Sequence, residues 1–163
     1  MTRERNRYFV GRLLGAEDFE QEQHYLLEKA RRHNRLLHGW GIVCGLLVRP
    51  GPAESEVTVE PGYALDPRGD EILVEDEVTV DLCERTERPL YLAIRYAECA
   101  THPIPGGESV EYSRVRETFV IDIVTELPGE PWVVLAEVLL DSSLGVSSID
   151  CHTHARRISP PEP

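Results

Sequence analysis

The chain has 163 residues, 41% hydrophobic and 28% charged, a length that fits one domain and a composition that excludes a disordered or fibrous polymer. Its net charge of −12 argues against nucleic-acid binding, and four scattered cysteines, Cys44, Cys83, Cys99 and Cys151, lack the density of a secreted disulfide scaffold. No run approaches the roughly 18–20 apolar residues of a membrane span, and residues 1–7 are charged where a signal peptide is apolar, so the expected setting is the cytoplasm.

The charge is unevenly placed. Residues 1–38 hold eight Lys/Arg against six Asp/Glu, which leaves nine against twenty-three in residues 39–163. A mildly basic head on an acidic body allows head-to-body contacts between copies of the chain, and it also serves solubility.

Residues 7–14 alternate loosely and stop at Gly15, which predicts a short extended arm or edge strand. From Ala16 the pattern becomes helical. Glu17, Asp18, Glu20 and Glu22 crowd the start, where acids suit the helix dipole, and Lys29, Arg31, Arg32 and Arg35 crowd the end, where bases do. Phe19, Leu26, Ala30, His33 and Leu37 share one face, widened by Leu27 and Leu36, and that face is expected to pack on something. His24, His33 and His38 offer ligand chemistry, although His33 lies on the apolar stripe and reads as a core residue. Gly39 and Gly41, around Trp40, supply the stop.

Beyond Gly41 the periodicity is that of strands, at residues 42–48, 57–59, 71–74, 78–82, 90–96, 118–125 and 132–140. The expected fold is α+β, with one long N-terminal helix packed on a mainly antiparallel β-sandwich or barrel-like body. The expected plan is an arm at 1–15, a single domain at 16–157 and a Pro-rich tail at 158–163. Asp66, Pro67, Arg68 and Gly69 have the residues of a tight turn, in which Asp66, Asp70 and Glu71 bind local backbone and the Arg68-Gly69-Asp70 triplet is turn composition. Two longer connections, 98–111 and 142–157, are predicted as loops, the places where function concentrates.

The segments YFVGRLL (8–14), EDFEQEQHY (17–25) and HNRLLHGWGIVCGL (33–46) resemble the start of a group of bacterial proteins found with phage tails and phage-like contractile injection systems. The likeness continues through VTVEPGYALDPRGDEILV (57–74), LAIRYAE (92–98) and WVVLAEV (132–138). The resemblance implies a non-enzymatic structural role, as in tail-fibre or baseplate subunits, and self-association. It supplies no catalytic residues. Expected partners are the chain itself, as a homo-oligomer or filament, and tail-like assembly proteins.

No glycine-rich phosphate loop, GxSxG elbow or HExxH helix is present, so no enzyme is expected. Tyr8, Phe9 and Trp40 are the candidate interface anchors, because aromatics bury large area at modest entropic cost; the same three also suit an ordinary core. The alternative from another class is a zinc- or small-ligand-binding protein. Cys99 and His102, with Cys151 and His154, pair sulfur and imidazole at short spacing in the two long connections, and convergence of all four would make a structural zinc site.

Overall fold

A computed structural model describes residues 4–83, 85, 89–106 and 109–158. The predicted tail beyond Ile158 and the first three residues of the arm lie outside the described residues. After the arm comes α1 (Ala16–His33), which runs directly into a π-helical turn (Asn34–His38). Ten strands follow: β1 (Gly41–Gly45), β2 (Val48–Pro50), β3 (Glu56–Val59), β4 (Gly62–Leu65), β5 (Glu71–Val74), β6 (Val78–Asp81), β7 (Leu90–Gly106), β8 (Ser109–Val124), β9 (Val133–Leu140) and β10 (Val146–Asp150).

The strands form three antiparallel sheets in the orders β1-β4-β5, β2-β3-β6 and β10-β9-β7-β8. Each gives apolar side chains to one buried cluster: Ile42, Ala64 and Ile72 from the first, Val48, Val57 and Val59 from the second, Leu92, Ile94 and Leu135 from the third. Branched aliphatic residues suit this role because they fill a pleated surface with little rotamer freedom to lose. The C-terminal segment closes the body at β1, where the amide of Ile42 donates to the Arg156 carbonyl at 2.8 Å and the amide of Ile158 to the Ile42 carbonyl at 2.8 Å. Gly41, with φ +134°, lets that segment approach, since a β-carbon there would lie 2.5 Å from the Arg156 carbonyl oxygen.

The expected α+β class is corrected. The protein is mainly β, with 47% of it in strands, and the helix buries none of its own 18 residues. No residue of α1 enters the core, which is built by the strands together with Leu46, Leu82, Cys151 and Ala155 from the segments between and after them. Residues 42–48, expected as one strand, form β1 and β2 around a break at Gly45 and Leu46, both at positive φ. The arm forms no strand among its described residues. It turns at Gly11, where the Arg12 amide donates to the Phe9 carbonyl at 3.2 Å.

The connection expected at 98–111 is also corrected, because it is the outer half of a long hairpin. Pairing between β7 and β8 continues from Tyr91↔Val124 out to Gly106↔Ser109, whereas β9 pairs with β7 only from Leu90 to Ile94. Among the described residues no strand pairs with the other edge of β7 beyond Ile94, so Pro103 and Pro105 lie in an edge strand, where proline is tolerated. His102, at φ 58°, is skipped in the pairing between Thr101↔Arg114 and Pro103↔Tyr112, and the register is the same on both sides of it. The second expected loop contains β10.

Candidate functional site

The helix meets the body through polar groups. Asp66 caps the β4–β5 turn, accepting from the amides of Arg68 at 2.8 Å and Asp70 at 2.9 Å. Burial pushes the Asp66 carboxyl above the usual range, and these amides partly counter it. The turn then holds the helix: Arg31 pairs with Asp70, the Asn34 amide donates to the Gly69 carbonyl at 2.9 Å, and Arg35 donates to the Arg68 carbonyl. Burial lowers the Arg31 pKa, but hydrogen bonds to Asp70 and Glu28 outweigh it and hold the guanidinium above its ordinary value.

The arm clasps another side of α1. Arg12 pairs with Asp18, the Asn6 amide donates to the Asp18 carbonyl, and the Tyr8 hydroxyl donates to Glu22, which raises the Tyr8 pKa. With these two sides taken, the apolar stripe is turned outward: Phe19 is 52% exposed, Leu26 57%, Leu36 76% and Leu37 70%. A groove of about 740 Å³ runs between α1 and the hairpin, lined in part by Leu26, Leu27, Tyr112 and Val115. Phe9, Val10 and Leu13 of the arm and Ile104 and Val110 of the hairpin add further exposed apolar surface. The groove is also lined by Glu20, Gln23, Glu98, Ser113, Arg114 and Glu117, so the exposed apolar side chains stand among polar ones.

The expected anchors fall in two environments. Tyr8 and Phe9 lie on the arm, largely exposed. Trp40 packs against the core cluster with the Arg156 guanidinium 4.5 Å above its ring. His33, expected as a core residue, is instead exposed on the outward stripe, its Nε2 3.3 Å from Nε2 of His38. The π-helical turn that joins them left no signal in the hydrophobic pattern.

The four expected metal ligands are dispersed over two regions. Cys99 and His102 are exposed on the outer part of β7, with His102 Nδ1 3.2 Å from Thr101 Oγ1. Cys151 is buried, its thiol pointing to the Val48 carbonyl at 3.5 Å, and His154 contacts Glu137 at 3.1 Å while standing edge-on to Tyr91. Asp150 shapes this second region: it accepts from the Thr153 hydroxyl and from the amides of His152 and Thr153, which draw its pKa down to about 2. Among the described residues no group of three or more His, Cys, Asp or Glu is arranged to hold a metal ion.

No protein-family model and no curated protein matches the sequence. Solved structures do match the fold. A chain of the type VI secretion system TssK-TssF-TssG baseplate subcomplex aligns over 90% of this chain with a TM-score of 0.60 and 16% identity. A chain of the baseplate complex from the type VI secretion system aligns over 92% with a TM-score of 0.55 and 15% identity, and TssK over 91% with 0.54 and 12%. The alignments cover 60%, 58% and 41% of those chains, so this chain spans less than two thirds of each. At such identities the likeness is one of fold, shared with chains of type VI secretion system baseplate structures.

Proposed function

We propose that the chain is a non-enzymatic structural subunit of a phage-tail-like particle, a baseplate or contractile injection system, and that it works through protein–protein contacts. The contact face is the outward stripe of α1 together with the outer hairpin. The observation that carries this reading is the inverted helix: its polar side is spent on the body, and its apolar side, Phe19, Leu26, Leu36 and Leu37, is left to solvent. Burying that stripe removes apolar area from water at roughly 25 cal/mol per Å², a gain the isolated chain forgoes. The baseplate fold of the structural neighbours supports the same reading. Among the described residues no helix is long and apolar enough to cross a membrane, and the proposed location is the assembled particle or the cytoplasm in which it forms.

The occupant of the face is a second copy of the chain or another tail-assembly protein. Light scattering on the purified chain and on Phe19→Glu/Leu26→Glu tests the reading. The expected result is a species heavier than the 18.4 kDa protomer that the double substitution dissociates while the chain stays folded, because both side chains are more than half exposed in the protomer and absent from its core. A monomeric chain whose association with baseplate proteins is unchanged by the substitutions would overturn it.

A further inference from the structure

We propose that His33 and His38 form a two-imidazole site for a divalent transition-metal ion of the zinc, copper(II) or nickel(II) class, at the C-terminal end of the outward face of α1. The backbone creates this pair. In an α-helix, residues five apart point about 140° away from each other around the axis. The π-helical turn replaces that geometry: the Gly39 amide reaches the Asn34 carbonyl five residues back at 3.0 Å, and residues five apart come to lie over one another. His33 and His38 are thereby brought together, with ring centroids 5.2 Å apart and planes inclined at 58°.

The spacing of the facing nitrogens then favours chelation. Nε2 of His33 is 3.3 Å from Nε2 of His38. An ion bound by imidazole at about 2.0–2.1 Å with tetrahedral angles separates two ligand nitrogens by roughly 3.3–3.4 Å. The same contact serves as a direct N–H···N bond when one ring carries the proton on Nε2 and the other leaves that position bare, and an ion competes with that proton for the site. Two bare lone pairs repel each other, as do two N–H groups, and an ion between them removes that conflict.

Two nitrogen donors suit zinc, copper and nickel and exclude the oxygen-seeking calcium and magnesium. Both rings are exposed, so the remaining coordination positions open outward, to water or to a donor from whatever docks on the stripe. Arg32 and Arg35 flank the pair in sequence and add positive charge, which weakens the site without removing it.

Calorimetric titration of the full chain with zinc chloride and with copper(II) sulfate tests the site, with the copper-loaded chain also read by electron paramagnetic resonance. One ion per chain is expected, with two imidazole nitrogens in the copper spectrum. Affinity should fall about tenfold or more in His33→Ala and in His38→Ala, as each loses the chelate partner, and stay unchanged in His24→Ala and His102→Ala. Circular dichroism of each variant, together with His38→Gln, separates ligand loss from loss of the π-helical turn. Absence of saturable binding, or binding unmoved by either substitution in a folded chain, would overturn the site; so would a site lost with Cys99→Ser.

Discussion

Gly69 lies directly against the backbone carbonyl of Arg31, so that a β-carbon built on it would fall 2.2 Å from that oxygen. The helix can reach the β4–β5 turn only because this residue has no side chain, and φ +90° favours glycine there as well. Gly69→Ala is expected to cost about 2–4 kcal/mol, combining backbone strain with overpacking, and to speed amide exchange along α1. Urea unfolding with hydrogen-exchange mass spectrometry measures both, and an α1 protected as in the wild type would contradict this docking geometry.

The Arg31–Asp70 pair should outweigh the other ion pairs at the surface. Its side chains are 24% and 11% exposed, against 46% and 55% for Arg49–Glu77. Asp70→Asn is expected to cost about 1–2 kcal/mol, as befits a charge-assisted hydrogen bond shielded from water. Glu77→Gln should cost less than about 0.5 kcal/mol. Paired denaturation curves decide the ranking.

Two carboxylates give opposite dependences on pH. Asp150 is depressed to about 2 by the Thr153 hydroxyl and the neighbouring amides, so its stabilising contribution is full above the unfolded value near 3.9 and disappears as pH falls through about 2. Asp66 is shifted up by burial, so its contribution is full below the unfolded value and is lost as pH rises through the folded one. Thermal melts should show Asp150→Asn destabilised at pH 7 and matching the wild type near pH 2. Asp66→Asn, which retains an acceptor oxygen for the Arg68 and Asp70 amides, should gain on the wild type as pH is raised from 4 to 7.

Cys151 and Cys99 should behave as unrelated residues. Cys151 is 8% exposed within the core, and Cys151→Ala is expected to cost about 1 kcal/mol through lost packing. Cys99 is exposed on the hairpin, and Cys99→Ser should stay within about 0.5 kcal/mol of the wild type. Elemental analysis of both purified variants should find the metal content of the wild type; a loss of zinc in both would restore the four-ligand site.

The parts of this molecule legible in its sequence are those governed by local chemistry. Acids at Glu17 and Asp18 and bases at Arg31 and Arg32 marked the helix, and runs such as 57–59 and 71–74 marked strands within a residue or two of their ends. The stripe from Phe19 to Leu37 was equally visible, but periodicity records only that a face is apolar and not what it packs on. The outer hairpin was hidden by Pro103, Pro105 and Gly106, which break strands in a sheet interior and are tolerated on an edge. The π-helical turn and the His33–His38 contact depend on a backbone register that residue types alone do not announce.

The outer hairpin has a mechanical consequence. Past Tyr96, which with Phe119 still packs against the core, it is a ribbon of two strands that at about 3.3 Å per residue runs roughly 26 Å from Glu98 to Gly106. A tilt of about 10° at its root carries Gly106 through roughly 5 Å. Angular slack at the sheet margin thus becomes displacement at the outer end of the ribbon.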